Sequence, residues 1–393
     1  MPKPPRTRHT GSMHEMRRAL CRWTLIGVTI PWVTGSLAAA TEVPGVEAPD
    51  GGLTHARAAI EAHRAKPVFR PPGPPFDARK CAAGKKQLSI PNISSNPFLK
   101  GIIDHEIAAG REVGLAVQEW QNQGQPSQWA QGIEFARKNG FQIVDLISGI
   151  DPRILEPQIK LAAQSGVKTM TSHFYDPTQA VNPLVAASLP VSFNTVGKLL
   201  ADWAISRTDG HANVVIIMSS EVPPTEPLVR GITAELQQYC PACKVAREIN
   251  VGITEWATKI GPSVQSTLLA DPSINFILPI YDTMTQFVVP AVHLTGRDGK
   301  VRIASFNGTP FVLDYVRDGK VDMVLGENTD WIARATIDGY LRADCGLKVP
   351  TDIGVPFYIF TADNVKDAGV PAKFDQGYGT DYVAGYRKAW MLQ

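Results

Sequence analysis

The chain has 393 residues, enough for two domains of ordinary size. Its composition, 44% hydrophobic and 19% charged, excludes an intrinsically disordered chain and is typical of a globular protein. The 39 basic and 37 acidic residues leave a formal net charge of +2, and no basic stripe runs along the sequence. The charge pattern therefore argues against nucleic acid as a partner.

The first 40 residues have the features of a secretory signal peptide. Three arginines between positions 17 and 22 precede the apolar segment TLIGVTIPWVTGSL, and three alanines follow it at 38–40. A basic region, a short apolar core and small residues predict export, with cleavage near Ala40–Thr41 and a periplasmic location. An N-terminal membrane anchor is the alternative. Cys21 lies before the apolar core and not directly after it, so the pattern favours a soluble exported protein over a lipoprotein.

The sequence leaves three candidates for the translation start, Met1, Met13 and Met16, because the basic stretch before Met13 is long for a signal peptide. Residues 41–85 follow the predicted cleavage position. There, THARAAIEAHRA predicts a short amphipathic helix, and KPVFRPPGPPFDARK predicts a proline-rich extended strap. We expect this strap to lie over the surface of the first domain.

Four cysteines remain after the signal: Cys81, Cys240, Cys243 and Cys345. An even number of cysteines in an exported protein indicates disulfides. The segment YCPACK has the C-x-x-C spacing of redox enzymes and zinc ribbons as well as of local disulfides. No second C-x-x-C follows, and the surroundings do not resemble a thioredoxin βαβ unit, so we expect a Cys240–Cys243 disulfide. Pairing of Cys81 with Cys345 remains open.

From Lys86 onward, short apolar runs alternate with helical stretches of amphipathic pattern. This alternation predicts βαβ units and largely parallel sheets. The predicted strands are too many for a single doubly wound sheet. We therefore predict an α/β fold with two Rossmann-like parallel-sheet lobes. The predicted strands are QLSIPNI, LAVQEWQ, FQIVDLI, VKTMTS, NVVIIMSS, KVAREIN, INFILPI, VRIASFNG, VDMVLGE and a last one near VPFYIFT.

The common signatures of catalysis and of cofactor binding are missing from the sequence. There is no G-x-G-x-x-G after a strand, no P-loop, no H-E-x-x-H and no G-x-S-x-G. No cysteine or histidine cluster has the spacing of metal ligands. We therefore expect neither enzyme activity nor a cofactor or metal.

Polar and aromatic residues instead follow the predicted strands. The carboxyl ends of parallel strands meet at one edge of a sheet, where open α/β proteins bind ligands. Two such edges facing each other would form a cleft for a small polar, ring-containing solute. The residues at these positions are Asn92, Asn96, Phe98, Ser172, His173, Phe174, Glu221, Arg230, Glu255, Trp256, Tyr281, Asp282, Asn307, Glu327 and Trp331.

Each of these residues also has a purely structural interpretation. The segment NISSNPF fits an ordinary strand-to-helix loop with an asparagine cap. Trp256 and Phe98 fit a core, His173 fits a satisfied loop histidine, and Arg230 fits a surface helix. The shared position at strand ends is what favours a ligand site.

The chain from about Lys86 to the C-terminus resembles the type I periplasmic solute-binding proteins, the ribose-binding-like branch that serves ABC importers. An ordered series of segments carries the resemblance: NPFLKGI, VDLISGIDP, SGVKTMT, VRGITAEL, LPIYDTMT, ASFNGTP, YVRDGKVDMVLGENTDWIA and FTADNV. The resemblance implies two lobes with a hinge, formed by residues 86–191 with 329–350 and by 192–328 with 351–393. It also implies a monomer that delivers its ligand to an ABC permease. A sensory protein that signals to a membrane receptor, and an exported enzyme on the same scaffold, are the alternatives.

The resemblance also implies ligand-binding residues. They are Asn92, Asn96, Phe98, His173, Phe174, Arg230, Trp256, Tyr281, Asn307 and Glu327. In sugar binders of this family, an Asp-Arg pair follows the strand that corresponds to VKTMT, and here these positions are His173-Phe174. Tyr281 and Asn307 likewise replace an asparagine and an aspartate. We therefore expect a ligand with an apolar or aromatic face in preference to a free pentose or hexose.

Overall fold

The computed structural model describes residues 49–392, so the predicted signal peptide, its start and its cleavage position lie outside the described residues. Strand–helix alternation produces two mostly parallel sheets in two lobes, which confirms the predicted α/β fold class. None of the helices between residues 49 and 392 has the length and apolar character needed to cross a membrane.

The first sheet has five parallel strands in the order β2-β1-β3-β4-β5. Helices α4 and α5 cover one face, and α3 and α11 cover the other, so β1 and β3 are buried on both faces. The apolar residues of these strands pack against both helical layers, and their buried polar residues, Gln87, Ser89 and Asp145, hydrogen-bond to partners within the lobe. The strands are β1 (Lys86–Pro91), β2 (Ala116–Glu119), β3 (Ile143–Ile147), β4 (Lys168–Ser172) and β5 (Ala187–Leu189).

The second sheet has six strands in the order β11-β10-β9-β8-β6-β7, and only the edge strand β11 is antiparallel. All ten strands predicted from the sequence are present in the two sheets. The short β5 was missed because three residues carry no periodicity. The strands are β6 (Asn213–Met218), β7 (Lys244–Asn250), β8 (Phe276–Pro279), β9 (Arg302–Asn307), β10 (Met323–Gly326) and β11 (Tyr358–Phe360).

Twelve α-helices occur in the described part of the chain. Several begin at a cap or at a proline, as at Asn96-Pro97. They are α1 (Pro49–Glu61), α2 (Ala78–Ala82), α3 (Pro97–Val113), α4 (Pro126–Lys138), α5 (Glu156–Gln164), α6 (Phe193–Arg207), α7 (Thr225–Tyr239), α8 (Trp256–Ala270), α9 (Asp282–Leu294), α10 (Pro310–Arg317), α11 (Thr329–Asp344) and α12 (Asp381–Ala389).

The chain passes between the lobes more than once. It leaves the first sheet between β5 and α6, and it returns where α11 follows β10 and packs against α3. We expected α12 in the C-terminal lobe. Its Arg387 forms an ion pair with Glu112 of α3, and Trp390, just after it, donates to Asp338 of α11. These contacts connect the C-terminal helix to helices of the N-terminal lobe.

The N-terminal segment contacts both lobes. Helix α1 packs against α6 and α7 of the second lobe, whereas the strap lies against α11, where Arg342 donates to the Pro74 carbonyl at 3.0 Å. The strap also contains the short helix α2, because the side chain of Asp77 accepts a hydrogen bond from the Lys80 amide at 3.0 Å.

Both cysteine pairs form disulfides in the structure. Cys81–Cys345 joins α2 to the end of α11, and Cys240–Cys243 closes a local loop after α7. The expected local bridge is therefore present, and the pairing that the sequence left open is present as well.

Candidate functional site

The carboxyl ends of strands from the two sheets meet at a buried hydrogen bond. His173 follows β4 and Glu327 follows β10, and the two are 3% and 2% exposed. His173 Nε2 lies 2.9 Å from Glu327 Oε2. Residues separated by 154 positions in the chain thus connect the lobes at the edge where the sequence predicted a ligand site.

Aromatic rings surround the imidazole of His173. The ring centroids of Phe98 and Phe193 lie 5.4 and 5.2 Å from it, both in edge-on geometry. Phe306, at the end of β9, is parallel to the imidazole at 6.5 Å. The surroundings of the buried pair are therefore mostly apolar.

Three of the predicted site residues, each directly after a strand, have a buried polar atom with no hydrogen-bond partner among the described residues. These atoms are Asn92 Oδ1, His173 Nδ1 and Glu327 Oε1. Buried polar atoms are nearly always paired, so unpaired ones mark places where a further molecule can bind. In the tautomer that donates from Nε2 to Glu327, Nδ1 of His173 can accept a hydrogen bond from such a molecule.

The backbone at the strand ends is also unusual. Ser148, His173 and Asn307 have φ values of 43°, 48° and 133°, in the region that favours glycine. Each such conformation costs about 1–3 kcal/mol and persists only where the surrounding structure enforces it. Strained residues after β3 and β4 and at the end of β9 are therefore consistent with a site that positions its groups in advance.

The loops after β1, β3 and β6 meet at Gly149. A Cβ atom on Gly149 would lie 2.8 Å from Asn92 Nδ2 and 3.4 Å from a methyl group of Val222. Its φ of 103° also favours glycine. Glycine at this position lets Asn92 of the first lobe and Val222 of the second lobe both pack against the loop after β3.

Asp282 supports the loop that presents Asn307. Its buried carboxylate accepts from Ser305 Oγ at 2.5 Å and from the Thr309 amide at 2.6 Å. Burial raises the pKa of this carboxyl to about 6, against these hydrogen bonds. Asp282 therefore bonds to the chain on both sides of Asn307, and each of its carboxylate oxygens already accepts a hydrogen bond.

Two predicted ligand residues of the first lobe have other contacts. Asn96 caps α3, since its Oδ1 accepts from the amides of Phe98 and Leu99 at 3.0 and 3.4 Å. Phe174 lines a groove of about 550 Å³ together with Tyr175 and Pro223. These contacts give Asn96 a capping role and place Phe174 in the wall of that groove.

Arg230 also lies elsewhere. It is exposed on α7, where its guanidinium pairs with Glu226 at 2.6 Å and donates to Thr178 Oγ1 at 3.1 Å. The exposed position of Arg230 does not match the expectation of a buried cation in the cleft. The sequence placed Arg230 in a helix but did not reveal which face of the helix it occupies.

Trp256 and Tyr281 lie together in the second lobe. The Trp256 indole donates to Ser219 Oγ at 2.7 Å, and the Tyr281 hydroxyl lies 3.0 Å from Thr225 Oγ1. Their ring centroids are 6.5 Å apart. These partners within the lobe fit the interpretation of Trp256 as a core residue and give Tyr281 a hydrogen-bond partner in the same lobe.

Sequence reasoning missed two aromatic residues of the site. Phe193 begins α6, and Phe306 precedes Asn307 within a buried strand. The signal for Phe306 was its position next to a predicted site residue. Phe193 carried no local signal, since only the passage of the chain from the first lobe to the second, between β5 and α6, brings it to His173.

Comparison with known proteins supports the fold. Residues 88–343 match the periplasmic binding protein domain family. A search of curated proteins finds no match. A 5-methylthioribose transporter solute-binding protein from Thermotoga lettingae TMO, solved with 5-methylthioribose, superimposes with a TM-score of 0.65 at 16% identity, over 81% of this chain and 95% of that chain.

Two further solved structures have the same architecture. The Caulobacter myo-inositol-binding protein with myo-inositol gives a TM-score of 0.63 at 18% identity, over 73% of this chain and 96% of that one. A solute-binding protein from Burkholderia graminis C4D1M with D-arabinose gives a TM-score of 0.60 at 21% identity, over 72% of this chain and 97% of that one. Because the family match spans well over half of the sequence, the protein belongs to the periplasmic binding protein family and has its type I, ribose-binding-like fold.

Proposed function

We propose that the protein is the periplasmic solute-binding component of an ABC importer and that it binds a small cyclic molecule where the two lobes meet. The single observation that carries this proposal is the set of unpaired buried atoms, Asn92 Oδ1, His173 Nδ1 and Glu327 Oε1. A ligand that hydrogen-bonds to these atoms would remove the desolvation cost of leaving them unpaired. It would also contact both lobes.

The surroundings favour a ligand with an apolar face and few hydroxyl groups. Phe98, Phe193 and Phe306 offer ring faces and edges around His173. Among the described residues, Glu327 has His173 as its ion-pair partner and no lysine or arginine. A carboxylate ligand would therefore face an acidic group, so we propose a neutral molecule, less polar than a free pentose or hexose.

Ligand contact with both lobes would also couple binding to closure. A ligand shifts a hinge equilibrium by its difference in affinity for the open and closed states. We therefore propose that saturating ligand lowers the radius of gyration in solution scattering. An unchanged radius with confirmed binding would contradict closure.

Delivery to a permease requires a location outside the cytoplasm. We propose cleavage of the first 40 residues, so that the N-terminal sequence of periplasmic material begins near Thr41. Recovery of full-length protein in the cytoplasm alone would contradict export.

A thermal-shift screen followed by calorimetry tests the ligand class. The probes are myo-inositol, 5-methylthioribose and D-arabinose, which are bound by proteins of the same fold, together with cyclic and aromatic alcohols. We expect the less polar probes to raise the melting temperature most. Micromolar binding of free pentoses or hexoses, with no response to less polar rings, would overturn the proposed ligand class.

A variant tests the place of binding. Glu327→Gln keeps the size of the side chain but removes its charge. It should lower the affinity for the best ligand by about tenfold or more. Glu134→Gln is the matched control, because Glu134 forms surface ion pairs on α4. Equal affinities of wild type and Glu327→Gln would place the ligand elsewhere.

A further inference from the structure

A second group of side chains lies where α1 crosses α6 and α7. His55 on α1, Asp202 on α6 and Glu235 on α7 each direct one donor atom to a common centre. These atoms all lie within 4.8 Å of one another. His55 Nε2 is 2.7 Å from Glu235 Oε1.

The group is held by close packing. The imidazole of His55 lies parallel to the ring of Tyr239, with centroids 3.6 Å apart and an angle of 6° between the planes. Helix α1 approaches α7 so closely that a Cβ atom on Gly52 would collide with the backbone oxygen of Tyr239. The orientation of the histidine is therefore fixed by its neighbours.

The charges in this group are poorly compensated by protein groups. Asp202 is 1% exposed, and its Oδ1 has no hydrogen-bond partner among the described residues. Glu235 is also buried, and Lys198 approaches its Oε2 only at 3.8 Å, from a half-exposed position. Two adjacent buried carboxylates are stable when a cation binds between them or when one keeps a proton.

We propose that His55, Asp202 and Glu235 bind one divalent transition-metal ion, with Zn²⁺ as the best match. One imidazole nitrogen and two carboxylate oxygens are ordinary zinc ligands, whereas Ca²⁺ and Mg²⁺ prefer sites made only of oxygen. The fourth position would hold water, which can enter beside the partly exposed His55. Small side-chain rotations would bring the three atoms to the ~2.0–2.2 Å at which Zn²⁺ binds such ligands.

The ion would have a structural consequence. Its ligands come from three helices, and α1 belongs to the N-terminal segment, whereas α6 and α7 belong to the second lobe. Metal binding would therefore fasten the N-terminal segment to this lobe. This role is independent of the solute site proposed above.

Zinc binding by tag-free periplasmic protein tests the proposal. After removal of metals with a chelator, calorimetry and elemental analysis should show one Zn²⁺ per chain. His55→Gln and Asp202→Asn should each weaken binding by about tenfold or more, since each removes one of three ligands. His293→Gln is the matched control, because His293 pairs with Asp298 on the exposed surface.

A thermal unfolding measurement distinguishes the loss of a metal-coordinating side chain from misfolding of the variant. In chelator, Asp202→Asn should melt at or above the temperature of wild type, because asparagine cannot place a second negative charge beside the buried Glu235. With Zn²⁺, wild type should gain stability and Asp202→Asn should not. Absence of Zn²⁺ binding to wild type, or binding that His55→Gln and Asp202→Asn leave unchanged, would overturn the proposed site.

Discussion

The hydroxyl of Tyr340 donates a hydrogen bond to Asp145 Oδ1 at 2.5 Å, which connects α11 to the middle of the first sheet. Ser172 Oγ donates to the other carboxylate oxygen at 2.8 Å. Glu106 of α3 lies in the same layer and accepts from Ser89 Oγ at 2.7 Å. Two carboxyl groups therefore share one buried polar cluster inside the N-terminal lobe.

This cluster should make stability depend on pH. Burial raises the pKa of Asp145 to about 7, and burial together with the charge of Asp145 raises the pKa of Glu106 well above its ordinary value. The unfolded chain releases these protons near pH 4, whereas the folded protein keeps them. Their contribution to the free energy of unfolding should be complete below about pH 4 and should fall as the pH rises toward and past 7.

The variant Glu106→Gln tests this dependence. Its side chain can still accept from Ser89 but cannot ionise, so it should lose less stability than wild type between pH 5 and 8, by about 1–2 kcal/mol. Urea unfolding at a series of pH values measures the difference. Glu134→Gln, on the exposed surface of α4, should follow wild type. Parallel profiles for Glu106→Gln and wild type would show that the buried pair does not control stability.

Removal of the imidazole of His173 should destabilise the protein. His173→Ala leaves Glu327 buried without its 2.9 Å partner, at a cost of about 1–3 kcal/mol in the free energy of unfolding. The double variant with Glu327→Ala should cost less than the sum of the single changes, because neither partner is then left unpaired. Urea unfolding of the four proteins gives the coupling, and strict additivity would refute it.

The two disulfides should differ in their effect on stability. Cys81–Cys345 spans 264 positions, and Cys240–Cys243 spans 3. The chain-entropy model gives about 6 kcal/mol for the long loop and about 2 kcal/mol for the short one. Urea unfolding of the paired Cys→Ala variants should therefore show the larger loss for Cys81 and Cys345. Equal losses would indicate that restriction of the unfolded chain is not the main effect.

Arg230→Ala distinguishes the position expected from the sequence from the position in the structure. If Arg230 were a buried cation in the cleft, its replacement by alanine would lower the affinity for the ligand at least about tenfold. The structure pairs the exposed guanidinium with Glu226, so we expect affinity within about twofold of wild type. Calorimetry with the best ligand of the screen measures it.

The local part of the fold could be predicted from the sequence. Apolar runs and caps depend on neighbouring residues, so β1, the Asn96 cap and the local Cys240–Cys243 disulfide follow from short segments. The order of strands and helices is enough to predict two parallel sheets, because each βαβ unit is itself a local motif.

Only the tertiary structure decided which candidate residues meet. His173 and Glu327 are 154 positions apart, and His55 and Glu235 are 180 apart. Their contacts depend on how the lobes and the N-terminal segment pack, which no local periodicity encodes. Arg230 shows the same limit, since its place in α7 was predictable from the helix pattern but the face that it occupies was set by packing against α6.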